Sequence, residues 1–169
     1  MKYMKGFTLI ELVVSIGILA ILAGLALAIL NPFEQFKKAQ DARRKSDLAQ
    51  VQKALEQYYQ DTGHYPSSSG AYQIVGQGGT IIWGQSWAPY LDVVPTDPES
   101  KKTYAYYAPT SPAGLQTYYL YASLDRAKDI QACNSGAACI SITSNSISTA
   151  ACGSGYTCNY GVTSPNVSP

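Results

Sequence analysis

The chain has 169 residues, a net charge of +1 at pH 7 and only 14% charged residues, so its overall charge selects no class of partner. Its length suffices for one domain with an extension. It uses 14 tyrosines against 3 phenylalanines, and it has one histidine and four cysteines. The sequence contains no nucleophile elbow, phosphate-binding loop or paired carboxylates with evident roles, so no enzymatic activity is expected.

An apolar run extends from Phe7 to Leu30 and contains a single charged residue, Glu11. About 20 apolar residues are enough to cross a bilayer as a helix. A signal peptide has a shorter apolar core, of about 7–15 residues, followed by a small-residue cleavage site. The run therefore predicts a membrane-spanning helix.

Glu11 is an unusual residue for this position, because a carboxylate inside a bilayer is costly unless it is paired. The apolar run offers no cation. If the chain were cut after Gly6, Phe7 would carry a new α-amino group that could pair with Glu11. We expect this pairing on a neighbouring copy, and pairing within one chain stays open. The hypothesis predicts both a cut and self-assembly.

The segment "KGFTLIEL" followed by an apolar run resembles the leader of type IV prepilins and of the related type II secretion pseudopilins. The resemblance implies that a prepilin peptidase cuts between Gly6 and Phe7 and that Phe7 becomes N-methylated. Glu11 matches the acidic residue of that family. The close match covers about residues 5–30. The helix expected after it agrees with the family architecture, and the last hundred residues resemble the family only loosely.

Beyond Leu30 the sequence predicts a second, amphipathic half of the same helix. Pro32 is expected to kink it, because proline lacks an N–H and clashes with the preceding turn. Gly63 and Pro66 are expected to end it. The apolar residues recur at three- and four-residue spacings from residue 48 onward, which marks one face for a core. They are Phe33, Phe36, Leu48, Val51, Leu55, Tyr58 and Tyr59.

A basic cluster, "KKAQDARRK", follows the apolar run. The positive-inside tendency would place it in the cytoplasm, whereas the leader and the cysteines argue for an extracytoplasmic head. We favour the leader, because it is the more specific signal. The cluster is interpreted as a solvated helix face. Contact with acidic groups of neighbouring subunits or with anionic lipid is the alternative.

Two tyrosine-rich or β-branched hairpins are predicted in the head. "YQIV" and "TIIW" flank "GQGG", and "KTYAYYA" is followed by "QTYYLYASL". Between them, "VPTDP" forms a stiff turn and resembles a pseudopilin segment. Cross-strand packing against the helix is expected for Tyr104, Tyr106, Tyr119 and Tyr121. A nucleic-acid platform would need interleaved cations, which these strands lack, so nucleic acid is not an expected partner.

The tail contains a repeat, A-C-x-S-G-x-x-C, at residues 132–139 and 151–158. We favour local disulfides, Cys133–Cys139 and Cys152–Cys158, over the crossed pairs Cys133–Cys158 and Cys139–Cys152. The spacing is wrong for a zinc site. Disulfides imply an oxidising compartment outside the cytoplasm. The intervening "ISITSNSISTA" predicts short strands.

No cofactor is expected, with one alternative. The major pseudopilin of type II secretion carries a calcium loop after its last strands, and "ASLDRAKDI" places Asp125 and Asp129 in a comparable region. The Gly- and acid-rich loop of that family is missing here. This disfavours calcium, because calcium sites need six or more oxygen ligands.

Together these features predict an α+β, pilin-like lollipop with a small antiparallel sheet packed on the second half of the helix.

The function expected is that of a structural pilin of a surface filament for adhesion, motility or uptake. A secretion pseudopilin, or a minor tip pilin acting as an adhesin or DNA-binding module, are the alternatives. Expected partners are the prepilin peptidase, the assembly machinery, the membrane before assembly and further copies in a helical filament. The predicted regions are leader 1–6, spanning helix 7–30, amphipathic helix 31–62, sheet head 63–130 and Cys-rich tail 131–169.

Overall fold

The computed structural model of the chain describes residues 6–110, 114–126 and 128–169. Most of the predicted leader, residues 1–5, lies outside the described residues. The chain forms two compact units, which divide between Lys37 and Lys38.

The first unit is dominated by helix α1, Leu9–Leu30, which is apolar on every side. Within the described residues, the segment Leu9–Leu27 is the one helix long and apolar enough to cross a membrane. Helix α2, Pro32–Thr62, begins after a single non-helical residue, Asn31. A proline disfavours the helical conformation of the residue before it, and asparagine tolerates the left-handed region that Asn31 adopts, with φ 39° and ψ 77°. The helix is thus interrupted at the Asn31–Pro32 step.

The second unit contains two three-stranded antiparallel sheets. The first has the order β1-β2-β3, with β1 Ser67–Ser68, β2 Ile74–Gly76 and β3 Gly79–Ile81. Its β2–β3 hairpin pairs Ile74 with Ile81 and is the first predicted hairpin.

The second sheet has the order β4-β5-β6, with β4 Ala105–Tyr107, β5 Tyr119–Ala122 and β6 Tyr160–Thr163. Its β4–β5 pair is the second predicted hairpin. The edge strand β6 was not predicted, because "YGVT" is short and follows a cysteine loop that carried no strand signal. It pairs with β5 from Tyr119 opposite Thr163 to Ala122 opposite Tyr160.

The sheet containing β4 and β5 buries side chains on both of its faces. One face joins the apolar stripe of α2 in the main core, which includes Leu48, Tyr104 and Tyr106. The other face carries Tyr119 and Tyr121 against the cystines and Ile142 of the tail. The prediction that all four tyrosines pack on the helix was therefore wrong for Tyr119 and Tyr121. The reason is the register: Tyr106 pairs with Leu120, so the odd-numbered residues of β5 point to the opposite face.

The prediction of short strands between the cysteine pairs was wrong, because this segment forms a short helix, α3, Ile140–Ser144. The hydroxyls of Thr143 and Ser144 each donate to the carbonyl of Ile140, at 2.9 Å. Such side-chain bonds to nearby carbonyls give the backbone a local alternative to the pairing of a strand. Ile142 on this turn is fully buried in the second core cluster.

Candidate processing and assembly site

The predicted cleavage position lies in exposed, non-helical chain directly ahead of α1. Gly6, Phe7 and Thr8 precede the first helical residue, Leu9, and all three are exposed. Among the described residues, none has an atom within 4 Å of the position that a Cβ at Gly6 would occupy. An endopeptidase needs a reachable peptide bond outside regular structure, and the Gly6–Phe7 bond is both exposed and non-helical.

Glu11 closes a capping box at the start of α1. Thr8 is the N-cap residue, and its hydroxyl accepts a hydrogen bond from the backbone N–H of Glu11 at 3.3 Å. In return, the backbone N–H and the hydroxyl of Thr8 donate to Glu11 Oε2 at 3.4 and 3.3 Å. The acid therefore satisfies donors at the helix start that would otherwise lack a partner.

This role of Glu11 was missed in the sequence, although a signal for it was present. The spacing T-x-x-E at residues 8–11, just ahead of an apolar run, is the pattern of a capping box. The capping role does not remove the need for a charge partner, because hydrogen bonds from neutral groups leave the carboxylate charge uncompensated. Among the described residues, the structure gives Glu11 no contact with a cation.

A buried ion cluster holds the head to α2, centred on Arg44, whose side chain is 0% exposed. Its guanidinium donates to both oxygens of Asp97, at 2.8 and 3.0 Å. It also donates to Asp41 at 2.9 Å and to Asp125 at 2.6 Å. Lys102 donates to the second oxygen of Asp125.

The ion cluster joins two separate segments of the head to helix α2. Asp97 comes from the predicted "VPTDP" turn and Asp125 from the segment that follows β5, while Asp41 accepts the backbone N–H groups of Asp125 and Arg126 at 2.8 and 3.0 Å. The interpretation of the basic cluster as a solvated face was therefore wrong for Arg44. The neighbouring Arg43, 64% exposed, fits that interpretation.

The electrostatics of the ion cluster follow from its contacts. Burial acts to lower the pKa of Arg44, but hydrogen bonds from Arg44 to Asp97 and Asp125 outweigh burial and raise it above its ordinary value. Burial acts to raise the pKa of Asp125, but the hydrogen bonds it accepts from Arg44 and Lys102 outweigh burial and lower it. The hydrogen bond from Lys45 lowers the pKa of Asp129. Arg44, Asp125 and Asp129 are therefore charged at neutral pH.

The two calcium candidates do not fit a calcium ion. Both oxygens of Asp125 accept bonds from Arg44 and Lys102. Oδ1 of Asp129 accepts from Lys45 at 2.6 Å and from the backbone of Gln131 at 2.9 Å. Ammonium and guanidinium groups stand where a hard cation would need oxygens. Within the described residues, no group of three or more potential ligands is arranged around a common metal position.

The tail carries two disulfides, Cys133–Cys139 and Cys152–Cys158. These are the local pairs rather than the crossed pairs. Cys139, Cys152 and Cys158 are fully buried against the outer face of the second sheet. The cystines therefore form the core of a tail that has few apolar residues of its own.

A cavity of about 440 Å³ lies beside the β2–β3 hairpin. Tyr58, Trp87 and Tyr90 contribute mutually packed rings to its wall, with centroids 5.2–5.8 Å apart. Its lining contains glutamine, serine, threonine and glycine but no charged residue and no histidine. Such a lining offers no group for acid–base chemistry near neutral pH.

The exposed Gly6–Phe7 segment, the capped apolar helix and the α+β head are the features of a pilin-like subunit. Residues 31–129 match the family model "Type II secretion system (T2SS), protein G", and residues 1–27 match the "Prokaryotic N-terminal methylation motif". The first match covers more than half of the chain, so the chain belongs to the type II secretion system protein G family.

Among curated proteins, the chain is similar to the type II secretion system core protein G of Escherichia coli (strain K12). The two are 29% identical over 97 residues, which is 56% of this chain and 66% of that protein. The match thus spans just under two thirds of the relative's length. No solved structure gave a significant match.

Proposed function

We propose that the chain is a structural subunit that is cut after Gly6, held in the membrane by α1 and then assembled through α1 into a helical filament. One observation carries this proposal: an exposed Gly6–Phe7 bond stands directly before a capped, apolar helix whose single charged residue is Glu11. The match of residues 1–27 to the methylation motif supports processing at this bond. The subunit has no catalytic role in this proposal.

Glu11 acts in two successive environments. Before assembly, the carboxylate of Glu11 accepts two hydrogen bonds from Thr8, one from its backbone N–H and one from its hydroxyl, and these reduce the cost of placing it at the membrane boundary. After the cut, the α-amino group of Phe7 on a neighbouring copy neutralises it. Removal of one member of a buried ion pair is expensive, so this pair sets the axial stagger of the subunits.

We further propose which kind of filament the subunit forms, a secretion pseudopilus or a surface pilus. Residues 31–129 match a secretion family, which favours a secretion pseudopilus. A surface pilus is the second candidate, and the tail beyond residue 129 favours it. That tail lies outside the family match and carries both disulfides, as suits a filament exposed outside the cell.

The assembly proposal is tested by comparing Glu11→Gln with the matched control Glu34→Gln, an exposed acid on α2. Both variants are expected to insert in the membrane and to be cut. We expect filaments from the control and few or none from Glu11→Gln, because only Glu11 loses the charge that pairs with the Phe7 amine. Normal filament yield from Glu11→Gln would contradict the mechanism.

Processing is tested by N-terminal sequencing and mass measurement of the chain in the filament fraction. Methylated Phe7 is the expected first residue, and an intact Met1 in that fraction would overturn the proposal. The filament type is tested by deleting the gene. Loss of protein secretion without loss of sheared surface filaments indicates a pseudopilus, and the reverse result indicates a pilus.

A further inference from the structure

The three phenylalanines of the chain all stand at the ends of the apolar helix. Phe7 precedes α1, and Phe33 and Phe36 follow it in the first turns of α2. These three residues are 76%, 77% and 70% exposed. In contrast, no tyrosine or tryptophan occurs between residues 4 and 57. The largest apolar rings of this part of the chain are thus concentrated where a membrane-spanning helix would leave the hydrocarbon.

Phe33 and Phe36 share one side of the helix, because residues three apart are neighbours on a helical surface. Glu34 and Lys37 form an exposed ion pair at 3.0 Å, and Gln35 lies on the side away from the two rings. Lys38 follows directly in the sequence. We call Phe33 and Phe36 together the aromatic edge. The first turns of α2 therefore combine this exposed aromatic edge with basic residues, which is the composition of a helix segment at a membrane surface.

Length places this aromatic edge at the lipid headgroups. Helix α1 has 22 residues, which at 1.5 Å per residue gives about 33 Å, close to the hydrocarbon thickness of about 30 Å. Asn31 then leaves the helical conformation, so α2 need not continue along the axis of α1. Phenylalanines on the apolar face of a helix bury into the boundary between headgroups and acyl chains, and lysines there are attracted to anionic headgroups.

We propose that Phe33 and Phe36 insert into the phospholipid surface beside α1 and hold the segment from Pro32 to Lys38 at the headgroup level. The ligand of this surface is an anionic phospholipid bilayer. The inference rests on the proposed function, because it requires α1 to span the membrane before assembly. It adds a second membrane contact, which has to be released when a subunit leaves the bilayer.

The test is a depth measurement on the full chain in vesicles of phosphatidylethanolamine and phosphatidylglycerol. Single spin labels are placed at Phe33→Cys, Phe36→Cys, Gln35→Cys and Leu19→Cys. Because the structure contains no free cysteine, labels attach without reduction of the native disulfides. Collision with oxygen, which partitions into lipid, is compared with collision with a water-soluble nickel chelate.

We expect the labels at Phe33 and Phe36 to be several-fold less accessible to the nickel chelate than the label at Gln35. Equal accessibility at these three positions, with Leu19 protected, would overturn the lipid contact and leave the proposed function intact. An accessible Leu19 would instead overturn membrane insertion itself. Protection that appears only at high protein-to-lipid ratio, together with spin–spin broadening, would assign the aromatic edge to a second copy and also overturn the proposal.

Discussion

Arg44 and Asp97 form a fully buried, two-pronged ion pair, in which Nε and Nη2 of the guanidinium bind the two carboxylate oxygens at 2.8 and 3.0 Å. The two residues are separated by more than fifty positions in the sequence, so the pair fixes the "VPTDP" turn on helix α2. Charge-assisted pairs of this geometry are stronger than neutral hydrogen bonds and are specific in direction.

Replacement of Arg44 by methionine is expected to lower the free energy of unfolding of the head by about 3–5 kcal/mol. Methionine keeps much of the length of the side chain but leaves Asp41, Asp97 and Asp125 without their shared cation. Chemical unfolding of the full chain in detergent, followed by tryptophan fluorescence, measures the change. The matched control is Arg43→Met, because Arg43 is exposed and its contact with Asp47 is long, at 3.9 Å. The control substitution should lower the free energy of unfolding by no more than about 1 kcal/mol. Equal losses for the two variants would contradict the role of the buried cluster.

Acid is expected to destabilise the head below about pH 4. The pKa values of Asp125 and Asp129 in the folded chain lie below their ordinary value of 3.8. A lowered pKa contributes stability that is fully present above the unfolded pKa and is lost as the pH falls through the folded pKa. Unfolding measured at pH 7, 4 and 3 should show a smaller acid loss for Asp125→Asn than for the native chain. The same acid loss in both would exclude Asp125 as a source of this dependence.

Alkali is expected to destabilise the head above about pH 10. Burial is the largest cause that raises the pKa values of Tyr104, Tyr118 and Tyr121 above the ordinary value of 10.0. A raised pKa contributes stability that is fully present below the unfolded pKa and is lost as the pH rises through the folded pKa. Tyrosinate absorbance at alkaline pH should appear in two stages, the second together with the loss of circular dichroism. A single stage near pH 10 with the fold intact would show that these hydroxyls reach water.

Gly153→Ala is expected to destabilise the loop closed by the Cys152–Cys158 disulfide more than Gly155→Ala does. Both glycines have positive φ, at 121° and 81°. Alanine in this region costs about 1–2 kcal/mol at either position. At Gly153 a Cβ would also lie 2.5 Å from the carbonyl oxygen of Lys101, whereas at Gly155 no atom of the residues that the structure describes lies within 4 Å of a Cβ. The clash should add about 1–3 kcal/mol. Thermal unfolding of both variants measures the difference, and equal melting temperatures would contradict it.

The elements that the sequence predicted well were those with local causes. The α1 helix follows from its unbroken apolar run, and the stripe of Leu48, Val51 and Leu55 on α2 follows from helical spacing. Both central hairpins follow from β-branched or tyrosine-rich runs with turn residues between them. In each case one short window of sequence contains the whole physical signal.

The features that escaped prediction depend on partners far away in the sequence. In the sequence, Arg44 cannot be distinguished from its exposed basic neighbours. Its burial depends on contacts with Asp97 and Asp125, which are 53 and 81 residues away in the sequence. The opposite orientation of Tyr121 follows from a register that no single strand reveals. Strand β6 forms only because β5 offers it an edge. The capping box is the exception, because its signal at Thr8 and Glu11 is local and was overlooked.

The tyrosines and tryptophans of the described residues lie in the head and in the later part of α2, so α1 and the head differ in their absorption and fluorescence. With no tyrosine or tryptophan between residues 4 and 57, α1 contributes essentially nothing to near-ultraviolet absorption or intrinsic fluorescence. Trp83 and Trp87 both pack in the main core of the head. Detergent, vesicles or a growing filament can therefore surround the silent helix while the native emission reports on the head alone, without any added label.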